Sequence, residues 1–175
     1  MFMKILFNYF FVLLLFYSPT IYAFPIPKNN EAYYDIIRKN KIIGSHIIEF
    51  RKKNNTLFVE TTIDIEVKIL FLNAYKFHHN SKETWIDGNF VEFDGHTDFE
   101  DEREYFIKGK DENNFFIAEG MDGVVKLGID IIPSNFWNID ILNKNELFDI
   151  QKGIVRKITV KNKGLEKISI GNKKI

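Results

Sequence analysis

Residues 76–90 read KFHHNSKETWIDGNF and gather two histidines, a glutamate, a tryptophan and an aspartate in one short stretch. Imidazole and carboxylate side chains are those of a zinc site or of a general acid–base pair, since both ligate metal and both exchange protons. Which chemistry they support depends on the element that carries them. In a β-strand Phe77, His79, Ser81, Glu83 and Trp85 take one face, and Lys76, His78, Asn80, Lys82 and Thr84 the other. His78 and His79 then point in opposite directions and do not chelate one ion together. His79 and Glu83 share a face but stand about 13 Å apart along a strand. A zinc site needs three or four convergent ligands. His79 and Glu83 would have to be joined by His96 from the adjoining strand, or by His46 from another. The expectation is therefore no bound metal and no cofactor. Glu83 and Trp85 are read as hairpin positions, one hydrogen-bonded and one packed.

Other chemistry is thinner. Gly44-Ser45-His46 lacks the flanking glycine of a nucleophile elbow and falls inside a strand. Phe99-Glu100-Asp101-Glu102 lacks the glycine and the spacing of a calcium-binding loop. With 24 acidic residues in 175, a pair of carboxylates suited to glycoside hydrolysis is expected by chance alone. No glycine-rich phosphate loop is present, and the absence of cysteine excludes thiolate ligands and thiol nucleophiles.

The elements that position these residues begin after an export signal. Lys4 precedes an apolar run from Ile5 to Tyr17, followed by Ser18-Pro19 and then Ile21-Tyr22-Ala23. That is the pattern of a secretory signal peptide (1–23) cleaved after Ala23, and the run is shorter than the roughly 20 residues a membrane span needs. Removing 23 of 175 residues leaves 152, one domain's worth of chain, without Lys4 and with 23 basic against 24 acidic residues. No basic face is announced, so nucleic acid is not an expected partner.

Residues 24–30 (FPIPKNN) read as an extended leader, because proline restricts both itself and its predecessor. A single β domain over 31–175 follows. AYYDIIR (32–38) and IIGSHIIEFR (42–51) form a hairpin. TLFVETTIDIEVKIL (56–70) alternates strictly, with Leu57, Val59, Thr61, Ile63, Ile65 and Val67 on one face. At about 40 Å it is long for a strand, which suits a curved sheet or a barrel wall. Asp87-Gly88 is a two-residue hairpin turn to NFVEFDGHT (89–97), and REYFIKGK (103–110) with NFFIAEG (114–120) makes the next pair. At Met121 the alternation stops. A crossing segment with a helical portion around 133–150 is expected, Ser134-Asn135 capping a turn through Phe136-Trp137 and those two aromatics anchoring it. IVRKITV (154–160) and LEKISI (165–170) then resume the sheet, whose last edge is expected to be incomplete at the C-terminus. The fold class is mainly β: one antiparallel, strongly curved sheet, a half-barrel or incomplete barrel.

The order of the YDIIRKNKIIGSHIIEF opening, the long alternating strand, Glu83-x-Trp85-x-Asp87-Gly88 and Pro133-Ser134-Asn135-Phe136-Trp137-Asn138 resembles an exported bacterial domain-of-unknown-function family, typical of alphaproteobacteria. The resemblance runs from about Tyr34 to the C-terminus. It carries no catalytic residue, and it implies a fold like the half-barrels of periplasmic lipoprotein carriers.

Outside the signal the chain keeps 13 of 18 phenylalanines, four of seven tyrosines and both tryptophans. The functional expectation is a non-enzymatic protein of the periplasm or extracellular space that binds a lipid or other apolar molecule, with no stable membrane anchor after cleavage. Phe77, Trp85, Phe93, Phe136 and Trp137 are the candidate ligand-binding residues. The rival is an envelope scaffold that binds another protein through an open sheet edge. A third reading, a hydrolase or metal-dependent enzyme, requires His79 and Glu83 to converge with His46 or His96.

Overall fold

The protein is described from a computed structural model covering residues 26–69, 72–100, 102–165, 169–170 and 173–174. The expected signal peptide lies outside these residues. Eight strands run in chain order as one antiparallel meander: β1 (Glu31–Arg38), β2 (Lys41–Lys53), β3 (Thr56–Ile69), β4 (Leu72–Ile86), β5 (Asn89–Phe99), β6 (Tyr105–Glu112), β7 (Phe115–Gly120) and β8 (Gly123–Gly128). β1 and β8 are its two edges among the described residues, and the sheet is not closed. The fold is mainly β, as the alternation predicts.

Three of the connections are two-residue turns with both residues at positive φ: Lys39-Asn40 (49° and 60°), Asp87-Gly88 (50° and 82°) and Asn113-Asn114 (52° and 67°). That geometry follows the right-handed twist of the flanking strands, and Asn, Asp and Gly tolerate it best. It sets the register of the strands each turn joins, such as Ile86 opposite Asn89 across Asp87-Gly88; between β3 and β4, Leu57 pairs with Trp85, Val59 with Glu83 and Ile63 with His79. Paired residues share a face, so one side of the sheet collects Phe50, Val59, Trp85, Phe93, Ile107, Phe116 and Ala118, all buried.

That side is covered by the chain after β8. Residues 129–145 cross it, with a short 3₁₀ helix at Ile139–Asn143, and end in the hairpin β9 (Glu146–Asp149) and β10 (Ile154–Lys157). Ser134 N–H donates to Phe148 O at 2.8 Å and Phe148 N–H to Ile132 O at 2.9 Å, so the two arms of the segment hold each other. Ile131, Ile132, Trp137, Leu147, Phe148 and Ile150 bury against the sheet. Their aromatic members extend a chain of rings. Trp137 lies 5.6 Å from Phe50 and 5.3 Å from Trp85; Phe90 stacks on Phe116 at 4.5 Å; and Phe93 meets Phe148 edge-on at 5.3 Å.

Two glycines make room for these rings. A Cβ on Gly95 would lie 2.6 Å from the Phe93 ring, and one on Gly109 would lie 2.6 Å from the Phe116 ring. Each phenylalanine thus folds over a glycine backbone and fills what would otherwise be a gap in the face.

Several expectations need correction. The crossing segment does not start at Met121, because Gly123–Gly128 is an eighth strand on β7; its glycines at both ends hid it. The helical turn is not at Phe136-Trp137 but at Ile139–Asn143, capped by Asn138, whose side chain accepts from Asp140 N–H at 2.9 Å. Asn135 is engaged elsewhere. Phe136 is not an anchor: it is 86% exposed, while Trp137 is buried, since neighbours in an extended segment face opposite ways. Residues 154–157 pair with β9 rather than resuming the large sheet. Among the described residues, the short β11 (Ser169–Ile170) and β12 (Lys173–Lys174) follow, paired with each other.

Candidate functional site

The covered face of β4 carries Phe77, His79, Ser81, Glu83 and Trp85, as its alternation dictates, and every one of them is buried. His79 bonds Thr97 Oγ1 through Nδ1 at 2.8 Å and Ser81 Oγ through Nε2 at 3.1 Å. Burial lowers its pKa from 6.5 to about 4, and the neighbouring histidines His46, His78 and His96 add to the lowering. It is a neutral core histidine near pH 7.

Glu83 is 1% exposed, with no cation against it. Trp85 Nε1–H donates to its Oε2 at 2.9 Å, and the Asn135 amide donates to both oxygens at 3.1 and 3.2 Å. Desolvation raises its pKa from 4.5 to about 7, against a lowering by Trp85, Asn135 and Trp137. Its carboxyl is therefore held toward the neutral form although the residue is almost fully buried. Asn135 in turn accepts from Asn138 N–H at 3.3 Å.

The other side of β3–β6 is polar. His78 Nδ1 meets Asp64 Oδ1 at 2.7 Å, and His96 Nε2 meets Glu104 Oε2 at 2.8 Å, with the His96 ring stacked on Phe106 at 4.5 Å. Asp64, Lys76, His78, Asp98 and the hairpin tip Arg38–Lys41 border a hollow of about 1130 Å³ on that side.

The sequence candidates thus divide. Phe77, Trp85, Phe93 and Trp137 lie on the covered side as buried packing residues, and Phe136 faces solvent. His79 and Glu83 share the covered face without touching each other, and His96 is on the opposite one. Among the described residues no three His, Asp or Glu side chains form a metal-binding group. Asn135, the partner that completes the Glu83 site, reads in the sequence as a helix cap. It lies 52 positions from Glu83, and no local pattern connects the two.

A family profile described as "Domain of unknown function (DUF6134)" matches residues 34–175, most of the chain. The chain belongs to this family. The match takes in Glu83, Trp85, Asn135 and Asn138, from β4 through the crossing segment, so DUF6134 is defined over both the sheet and its cover. No curated protein and no solved structure matches.

Proposed function

We propose that this DUF6134 chain is an exported, non-enzymatic binding protein whose ligand is a hydrophobic small molecule or a lipid moiety. The observation that carries the reading is a mismatch of lengths. Apolar alternation on β3 runs on through Ile63, Ile65 and Val67, and the same face continues into Tyr75 of β4 and Phe99 of β5. The crossing segment covers the other end of that face. Ile63, Ile65, Val67, Tyr75 and Phe99 are left only half-buried, while Val59, Phe93 and Ile107 are enclosed. An apolar molecule along this stretch would complete the burial that the chain itself leaves undone, at about 25 cal/mol per Å². The non-enzymatic part is supported by the enclosure of His79 and Glu83, each bonded to structural partners. Export is supported by the N-terminal pattern.

The test is titration with the neutral apolar dye Nile red, on the full chain and on Ile65→Glu. Saturable binding by the native protein that drops at least tenfold in the variant is expected. Binding that is absent, or equal in both proteins, overturns the reading.

A second reading has its own support. Among the described residues β1 has only β2 as a neighbour, and Tyr33, Tyr34 and Ile37 on it are more than half exposed. An edge of that kind accepts a strand from another protein. A Tyr34→Pro change would remove its capacity to extend the ladder while leaving Nile red binding intact.

A further inference from the structure

The crossing segment is tied to the sheet by polar bonds at one place that is also buried and uncharged around its rim. On the sheet side is the Glu83 carboxyl; on the segment side is the Asn135 amide, with the Trp137 ring packed beside it on Trp85. Facing Glu83 from β3 is Val59, from β5 Phe93, and along β4 Ser81 and Trp85. None of these ionises near neutrality. The ionisable groups elsewhere on this side are His46, His79 and Tyr75, farther along the strands, Tyr105 on β6, and Asp149, which is engaged by Arg156 at 2.5 Å.

We propose that residues 131–138 are a strap latched at Glu83, closed while the carboxyl holds its proton and lifting away from the sheet once the proton is lost. A buried carboxylate with hydrogen bonds but no counter-charge is relieved by water, and movement of the segment over it would admit water to Glu83. The Trp85 indole and the Asn135 amide both donate to the carboxyl, so ionisation does not break the bonds; it makes the dry environment costly. The direction follows from linkage: the closed form binds the proton more tightly than the open one, so raising pH favours opening. With its pKa raised to about 7, the carboxyl is half ionised near neutral pH, within the physiological range. Opening would bare Trp85 and Phe93, the aromatic wall next to the stretch assigned above to an apolar ligand. The strap stands on its own bonds, whether or not that ligand exists.

Trp85 and Trp137 are the only tryptophans in the chain, and both touch the latch. Acrylamide quenching of tryptophan fluorescence therefore reads the opening directly, and it separates access of solvent from a mere change in intensity. From pH 6 to 8.5 the closing equilibrium of the native protein should fall about tenfold, with quenching rising to match, and Glu83→Gln should stay flat. Hydrogen exchange of the native protein, corrected for the intrinsic rate, should lose protection over 131–138 and keep it at Asp149–Gly153 across the same range. Quenching that stays constant with pH, or rises equally in Glu83→Gln, overturns the proposal. So does exchange that changes uniformly along the chain.

Discussion

Glu83 and Asn135 are 52 residues apart and share two hydrogen bonds, the Asn135 amide reaching both carboxyl oxygens at 3.1 and 3.2 Å. One residue belongs to the sheet and the other to the segment that covers it. The pair is thus a tertiary contact that decides where the cover sits, and the aromatic packing of Trp137 on Phe50 and Trp85 falls in register with it. Apolar contacts alone would let the segment slide; a buried polar pair does not.

Removing the amide tests this role. Asn135→Leu keeps the volume and deletes a donor to a carboxyl that has only a few. The loss expected is about 1–3 kcal/mol, the cost of leaving a buried polar group short of a partner. The same change should push the Glu83 pKa above its present value of about 7, because Asn135 is among the groups that lower it. Urea denaturation followed by tryptophan fluorescence measures the first effect. A pH titration of the Glu83 carboxyl by difference infrared spectroscopy measures the second. A variant as stable as the native protein would mean that ring packing alone holds the cover.

Much of this was legible in the sequence, for reasons that the residues make plain. The faces of β3 and β4 follow from a period of two, so the opposed directions of His78 and His79, and the placing of Glu83 and Trp85 on one face as a hydrogen-bonded and a packed position, are legible in the sequence. Asp87-Gly88 named its own turn. What could not be read is long-range. Thr97 becomes the partner of His79 only through the β4–β5 register, and Asn135 reaches Glu83 only because the chain doubles back over the sheet. β8 is hidden because it is a six-residue strand with Gly123 and Gly128 as its ends, too short to show a period. Phe136 and Trp137 look alike as anchors, and only the direction of an extended backbone separates them.

The Phe116–Gly109 contact offers a packing test. A Cβ at Gly109 would meet the Phe116 ring at 2.6 Å and Ala118 Cβ at 3.2 Å. Phe116 is fully buried and stacked on Phe90, so it has little room to give. Gly109→Ala should destabilise the protein by about 1–3 kcal/mol, as overpacked cores do. Phe116→Leu costs burial of its own, but it withdraws the ring, so the double variant should be more stable than the sum of the two losses predicts. Thermal or urea melts of the four proteins in this cycle supply the coupling; strictly additive losses would show that the ring does not lie over Gly109.

Asp149 closes the cover at its other end. Its Oδ1 accepts from the N–H groups of Gln151 and Lys152 at 2.8 and 3.0 Å, and its Oδ2 from Arg156 Nε at 2.5 Å. Asp149→Ala removes the turn bonds and the ion pair together, and a loss of about 2 kcal/mol is expected for a buried carboxylate so bonded. Arg156→Ala alone should cost less, since Arg156 is half exposed and the turn bonds persist. Denaturation midpoints of the two variants check the ranking, and a reversed order would place the main contribution in the ion pair.

The last prediction concerns the stability of the whole fold against pH, where Glu83 and His79 oppose each other. For Glu83 the folded pKa of about 7 lies above the ordinary 4.5, so its contribution is fully present below pH 4.5 and is lost as pH rises to about 7. For His79 the folded pKa of about 4 lies below the ordinary 6.5, so its contribution is fully present above pH 6.5 and is lost as pH falls to about 4. Each interval corresponds to about 3 kcal/mol. Between pH 4.5 and 6.5 the two slopes have opposite signs and similar size, so these groups should leave the native protein's stability nearly level there. Glu83→Gln removes the falling slope and should reveal stability that climbs with pH from 4 to 6.5. His79→Gln removes the rising slope and should reveal stability that declines from 4.5 to 7. Urea unfolding of the three proteins at pH 4.5, 5.5 and 6.5 makes the comparison. Parallel profiles would mean that neither group is held away from its ordinary pKa, and the latch at Glu83 would lose its physical basis with them.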